Sequence, residues 1–188
     1  MRNVLSVTLL TLGMAGAAQA DNQTAAAAAA TVSVKAVQSN VQAGGKIVVE
    51  AYVSGAVNVS AYQVQLGASG GTKGTLTLES MTVDKQRSDF AFHQAGAELI
   101  DVQDKGAEWV GLVRTAGGSD IVKLSYVATF TFRASPDAQG VFKVNVRTDS
   151  TETFLLDQAG LLIPHKLGAT AEVAVGTPAP VRKDGRKG

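Results

Sequence analysis

Two stretches of alternating apolar and polar residues, joined by a short turn, restrict this chain most strongly to a β-sheet fold. They lie between Ile121 and Thr148, in the sequence IVKLSYVATFTFRASPDAQGVFKVNVRT. A period of two is typical of strands with one buried and one solvated face. The linking residues 135–140 combine proline, aspartate and glycine, which favour tight turns. The sequence therefore predicts a β-hairpin. Its inward residues are Val122, Leu124, Tyr126, Ala128, Phe130, Phe132, Phe142, Val144 and Val146.

Short alternating segments also recur roughly every ten residues along the rest of the chain, a rhythm typical of all-β sandwiches. Glycine-rich residues 67–74 and 116–119 are interpreted as a loop and a turn. The gaps are too short for the helices of a parallel α/β fold. We therefore expect an all-β jelly-roll sandwich of about nine strands in two sheets. The other predicted strands are Thr31–Val37, Lys46–Val53, Ala61–Leu66, Thr75–Val83, Glu98–Val102, Glu108–Val113, Thr153–Leu156, Leu161–Ile163 and Ala169–Val175.

The two ends of the chain differ in composition from the part between them. Residues 1–20 carry a short basic start, an apolar stretch and Ala18-Gln19-Ala20, which predicts a signal peptide cleaved before Asp21. Residues 21–30 are interpreted as an alanine-rich leader and residues 177–188 as a disordered basic tail. Residues 31–176 form the predicted domain.

The composition of the chain also limits the compartment and the partners that we expect for the protein. The chain has no cysteine and a formal charge of +1. Because no basic stripe interleaves with aromatic residues, nucleic acid is not an expected partner. No apolar run after the signal peptide is long enough for an integral membrane segment. We expect a secreted protein, extracellular or periplasmic.

No arrangement of residues predicts an enzyme. His93 and His165 are far apart in sequence and have no neighbouring set of metal ligands. Asp101, Asp104 and Glu108 lack the spacing of a calcium-binding loop and are interpreted as turn residues. No local signature of a nucleophile is present, so a hydrolase is the least favoured function. We expect no catalytic residue, no cofactor and no metal site.

The order of the motifs resembles that of the cohesin domain family. Gly45 to Val53 matches a G-x-x-V-x-V-x-V strand of that family, Val122 to Arg133 a second strand motif, and Asp157 to Gly160 a D-x-x-G turn. The resemblance covers Thr31 to Val175. It implies a nine-stranded jelly roll akin to carbohydrate-binding modules. It also implies a non-catalytic module that binds dockerin modules on one sheet face, in assemblies that degrade polysaccharides.

A candidate binding patch follows from the distribution of charge. The outward residues of the 121–148 strands include several lysines and arginines, whereas interface centres are poor in charge and rich in aromatic residues. Gln63 and Gln65 are predicted to face outward without charge, and Trp109 is an aromatic residue on either face of its strand. We therefore predict that these three residues contact a dockerin-like protein or a polysaccharide. The alternative function is a structural or adhesive component of the cell envelope that assembles through edge strands.

Overall fold

The computed structural model describes residues 29–93, 98–104, 109–147 and 153–176. The predicted signal peptide, the basic tail and most of the alanine-rich leader lie outside these residues. The described residues contain no α-helix, and none of them therefore contributes a helix able to span a membrane. The strands are β1 (Ala30–Ala36), β2 (Asn40–Val41), β3 (Lys46–Ser54), β4 (Ala56–Val64), β5 (Leu66–Gly70), β6 (Leu76–Thr82), β7 (Glu98–Asp104), β8 (Trp109–Ile121), β9 (Ser125–Ala134), β10 (Gly140–Val146), β11 (Phe154–Asp157), β12 (His165–Leu167) and β13 (Ala171–Val175).

The strands form two packed layers. The first layer has the order β12-β1-β3-β9-β6. The second contains two ladders, β2-β13-β10-β5 and β11-β4-β8-β7. These two ladders continue into each other, because β4 and β5 are separated only by Gln65 and pair with β11 and β10 on the same edge. The main chain keeps the two ladders in line where the Arg147 amide donates to the Gln65 carbonyl at 2.9 Å.

The strand count agrees with the predicted jelly roll. If β4 with β5 and β10 with β11 are each taken as one strand, and the very short β2 and β12 are set aside, nine strands remain. The all-β sandwich class is therefore confirmed. Strand β1 begins at Ala30, one residue inside the predicted leader, and Ala30 is buried.

The core lies between the two layers and consists of the inward-facing residues, which are every second residue along each strand. Phe130 and Val144, predicted to lie there, are both fully buried, in the first and second layer respectively. Tyr62 adds a polar anchor, since its hydroxyl donates to the Val127 carbonyl at 2.6 Å. Burial raises the pKa of the Tyr62 phenol well above its ordinary value, so the hydroxyl stays protonated and remains a donor.

The predicted hairpin between Ile121 and Thr148 is wrong in its pairing. Strand β9 pairs with β3 and β6, whereas β10 pairs with β13 and β5, so residues 135–139 carry the chain across from one layer to the other. A hairpin and a crossing between the layers both bury one face of each strand, so both give the same alternation of apolar and polar residues. Ala138, within this connection, is fully buried, so the connection packs against the edge of the core.

The start of the predicted hairpin also differs. Val122 and Leu124 were expected inward, but they are 72% and 59% exposed and precede β9, which begins at Ser125. The alternation of apolar and polar residues continues into this loop, but the backbone pairing of the strand does not. Residues 161–163, predicted as a strand, contribute one isolated bridge, and the neighbouring strand is β12.

In two places, glycines that the sequence predicted to end strands lie within strands. Strand β8 runs through residues 116–119, which were predicted as a turn, and β5 occupies the first part of the predicted loop 67–74. At Gly118 an added Cβ would lie 2.9 Å from Cγ and 3.2 Å from Cα of Asn58. Glycine here permits close approach of two paired strands, which is a second use of the residue that sequence does not distinguish from a turn.

Candidate partner-binding face

The outer face of the second layer is centred on β4, which lies between β11 and β8. The register places Gln63 opposite Phe154 and Ala61 opposite Leu156. Directly opposite residues share a face of the sheet. Tyr62 and Leu155, the intervening pair, are fully buried in the core, so these four residues face outward.

This face is covered more closely than the sequence suggested. Gln63 is only 8% exposed and Gln65 only 2%, so neither is open to solvent although both were predicted to face outward. Their parity is as predicted, since Tyr62, Val64 and Leu66 are the inward residues. Gln63 lies opposite the half-buried Phe154 on this face, and Gln65 lies beside the fully buried Thr153.

Gln65 lies between β4 and β5, where the two ladders of the second layer meet. Its backbone amide donates to Thr153 Oγ1 at 3.1 Å, and Thr153 is fully buried. Among the described residues, the side-chain Nε2 of Gln65 has no hydrogen-bond partner.

Trp109 lies at the first position of β8, where its backbone is opposite Asp104 of β7. It therefore belongs to the same layer as Gln63 and lies three residues before Leu112, the β8 residue opposite Gln63. The structure places the three predicted site residues in one layer but not on one face. Trp109 has the parity of Gly111, which lies opposite the inward Val64, whereas Gln63 lies opposite Leu112. Whether they contact a partner remains a prediction.

Phe154 and Leu156 were missed as site residues. The sequence predicted their strand but assigned neither of them to a face. The run Phe154-Leu155-Leu156 is apolar at three successive positions, which indicates a strand covered on both sides. That pattern was the available sign of an apolar outer face.

The outer face of the first layer has a different character, because charged side chains pair across it. Arg133 Nε lies 2.7 Å from Glu79 Oε1, and Lys46 Nζ lies 3.9 Å from the same carboxylate. The hydrogen bond from Arg133 lowers the pKa of Glu79. The charged side chains named here thus pair with one another. On the other face Lys143 also pairs with Glu172, at 3.1 Å, and the register places Arg114 opposite Ala61, so the uncharged positions there are confined to the strip of β4 and β11.

A second ionic cluster anchors residues 84–92 to the first layer. Arg87 donates to both carboxylate oxygens of Asp89, at 2.8 and 2.9 Å, and to Glu50 at 2.5 Å. Its guanidinium carbon lies 4.0 Å from the ring centroid of Tyr126. The pKa of Asp89 is lowered by the hydrogen bond from Arg87. Partial burial, with the acceptor Glu50 adding to it, raises the pKa of the Tyr52 phenol.

The groups considered for catalysis do not come together. His93 is exposed after Phe92, and His165 is half-buried at the start of β12. Asp101 and Asp104 lie on β7, and Glu108 is outside the described residues. Within the described ranges, no group of three or more histidine, aspartate or glutamate side chains is placed to hold a metal ion.

No protein-family model matches the sequence, and no curated protein matches it significantly. Solved structures do match its fold, and three cohesins illustrate the match. The sixth cohesin of scaffoldin B from Acetivibrio cellulolyticus, solved in complex with a mutant dockerin, has a TM-score of 0.55 at 14% identity, over 78% of this chain and 99% of that one. A non-cellulosomal cohesin from the archaeon Archaeoglobus fulgidus has a TM-score of 0.55 at 12% identity, covering 80% and 93%. A cohesin module of a family 33 glycoside hydrolase from Clostridium perfringens has a TM-score of 0.55 at 13% identity, covering 78% and 96%.

At these identities the likeness concerns the fold. The chain has a cohesin-like jelly-roll sandwich, and the resemblance inferred from its motifs is confirmed at that level.

Proposed function

We propose that this protein is a secreted, non-catalytic binding module that recognises a dockerin-like protein on the outer face of β11, β4, β8 and β7. The observation that carries the proposal is the cohesin-like fold together with an uncharged, partly apolar strip along β4 and β11. The strip consists of Ala61, Gln63, Phe154 and Leu156. One of the cohesins of similar fold is in complex with a dockerin, which supports this class of partner.

The composition of the strip suits a protein interface. Interface centres exclude charge and depend on a few apolar or aromatic anchors surrounded by less important contacts. Phe154 is the described aromatic residue that best fits such an anchor, because it is half-buried beside Gln63. We assign Gln63 to the floor of the patch, and we leave Trp109 out of the patch because the register gives it the inward parity of Gly111. Gln65 lies next to the patch, where its backbone amide donates to Thr153, the residue before β11.

The proposal extends to place and process. The signal peptide predicted over residues 1–20 supports export. A secreted module that binds dockerins would join other proteins into an assembly that degrades polysaccharides, with no chemistry of its own. Direct binding to polysaccharide is the competing mode of recognition.

Calorimetry with a panel of purified dockerin modules, and sedimentation with insoluble polysaccharides, tests the proposal. We expect a dockerin to bind and Phe154→Asp to weaken that binding by at least tenfold, the loss typical of an interface anchor. Thr131→Asp introduces the same charge at a half-buried position on the outer face of the first layer and is the matched control.

Melting of both variants checks that each remains folded. If a polysaccharide binds and no dockerin does, the partner class is wrong. If Thr131→Asp abolishes dockerin binding while Phe154→Asp leaves it intact, the face is wrong.

A further inference from the structure

A groove of about 360 Å³ follows β1 on the outer face of the first layer. Ser33 and Lys35, which have the outward parity of the strand, form its floor. Tyr52 and Leu124 border it on the β3 side, and residues 169–172, which lead into β13, border it on the other. The volume lies within the range of about 300–1,000 Å³ that is usual for small-molecule sites.

Tyr52 is the aromatic side chain of this groove, and internal contacts fix its position. Its backbone lies opposite Ser33 in the ladder, so the two residues share the outer face. Its hydroxyl donates to Glu50, whose other carboxylate oxygen accepts from Arg87 at 2.5 Å. Its ring stands nearly perpendicular to that of Tyr126, with centroids 6.4 Å apart. A ring held in this way loses little freedom when a ligand binds against it.

Three polar groups that border the groove have no internal partner among the described residues. They are the hydroxyls of Ser33 and Thr170 and the ammonium group of Lys35. Leu124, beside Tyr52, is 59% exposed although it is apolar. The groove therefore offers hydrogen-bond partners on its floor and far side, and an apolar surface on its β3 side.

The charges around the groove balance one another. The charged residues that line it, or that are joined to Tyr52 or to those residues by hydrogen bonds and ion pairs, are three cations and three anions: Lys35, Arg87, Lys143, Glu50, Asp89 and Glu172. Both acids beside Tyr52 are bound to Arg87, and Glu172 lies 3.1 Å from Lys143. Such surroundings favour a ligand without net charge.

We propose that this groove binds the pyranose ring of a neutral saccharide, with one face of the sugar against Tyr52 and Leu124. The C–H groups on the face of a pyranose suit the negative face of an aromatic ring. The sugar hydroxyls both donate and accept, so they satisfy Ser33, Thr170 and Lys35 at the edge of the ring. A purely apolar ligand would leave these polar groups unpaired, and a small ion would not use the apolar side.

This site is independent of the proposed function. The groove lies on the first layer, whereas the strip of β4 and β11 belongs to the second. The saccharide and the protein partner therefore use different residues, and each can be removed by substitution without the other.

Calorimetric titration of the complete chain with neutral oligosaccharides of glucose, xylose and mannose, and with an acidic oligogalacturonate, tests the proposal. We expect a neutral oligosaccharide to bind and Tyr52→Leu to weaken that binding by about tenfold, as for the loss of an aromatic anchor. Tyr52→Phe keeps the ring and removes only its bond to Glu50, so it should bind almost as the unaltered protein does. Melting of each variant checks that it is folded.

Two exposed apolar residues of the loop before β9 provide a matched pair. Leu124→Ser should weaken saccharide binding, whereas Val122→Ser should not, because Leu124 lines the groove and Val122 does not. Equal losses in these two variants, or loss of saccharide binding in Phe154→Asp, would place the sugar elsewhere.

The remaining outcomes separate this proposal from the proposed function. Binding of no neutral oligosaccharide would overturn it, and binding of the oligogalacturonate alone would contradict the balance of charge. Tyr52→Leu should leave dockerin binding unchanged, and an equal loss of both ligands in this variant would contradict two independent sites.

Discussion

Phe130 shows how one residue in the middle of β9 ties the first layer to the core. It is fully buried, and its neighbours in the ladder are Val49 of β3 and Met81 of β6. Phe130→Ala removes most of the side chain and leaves a cavity, so we expect the free energy of unfolding to fall by about 3–5 kcal/mol. Denaturant titration measures the change, and Val141→Ala, at a half-exposed position, should leave it nearly unaltered. A loss below about 1 kcal/mol for Phe130→Ala would mean that the buried face has been assigned wrongly.

Arg87 makes stability depend on acid pH through its hydrogen bonds to Asp89. Because these bonds lower the pKa of Asp89 below its ordinary 3.8, the folded state binds that proton less readily than the unfolded state does. Their contribution is therefore complete above about pH 4 and is lost as the pH falls through the lowered pKa. We expect the melting temperature of Arg87→Gln to fall less steeply below pH 4 than that of the unaltered protein.

Melting curves recorded at several pH values between about 2 and 7 test this. Other carboxyl groups with lowered pKa values, those of Glu79 and Asp137, are present in both proteins, so the difference between the curves isolates the Arg87 cluster. Lys123→Gln removes an exposed cation elsewhere and should leave the slope as it is. Parallel curves for Arg87→Gln and the unaltered protein would contradict the assignment.

At the level of elements, β4 and β8 illustrate how a glycine pair is used inside a strand. Gly118 faces Asn58, which has a positive φ of 58°. We expect Gly118→Ala to destabilise the protein by about 1–3 kcal/mol, the usual cost of overpacking. Adding Asn58→Gly should recover part of the loss, because it removes the obstructing side chain and tolerates the positive φ.

Gly117→Ala is the matched control for this pair. Its added Cβ would meet only Gln158 Nε2, at 3.6 Å, which is an ordinary contact. Chemical denaturation of the four variants, including the double one, gives the coupling between the two sites. Additive losses from Gly118→Ala and Asn58→Gly would show that the close approach does not limit this position.

The elements also show what the sequence could predict. Period-two patterns identified most strands, since alternation between a buried and an exposed face is written directly into residue type, as at Phe130 and Val144. They did not identify partners, because β9 and β10 have the same pattern whether they pair with each other or lie in opposite layers. Gln63 and Gln65 were placed on the correct face but not at the correct depth. Gln63 lies opposite Phe154 and Gln65 beside Thr153, and these neighbours are about ninety positions away in the chain.

At the scale of the whole molecule, the outer faces of the two layers present different side chains. The first layer carries the Arg133–Glu79 pair, and the Arg87–Asp89 pair lies in the segment packed against it. The second layer carries the Lys143–Glu172 pair on β10 and β13, beside the uncharged strip of β4 and β11 on which the proposed recognition depends. A partner that docks on the strip would therefore leave the described ion pairs of the first layer intact.

The fold as a whole should also be independent of metal ions. A described core that unites both layers through apolar contacts, together with the absence of a three-ligand acid or histidine group among the described residues, gives a metal no structural task. We expect the melting temperature of the complete chain to be the same with and without an excess of chelator. Adding calcium or zinc afterwards is the control for chelator effects unrelated to metal. A large drop with chelator that either ion restores would contradict this expectation. It would direct attention to Asp101, Asp104 and Glu108, the group of carboxylates in this sequence that comes closest to a set of metal ligands. Changing each of them singly to asparagine or glutamine would then identify which residue binds the ion.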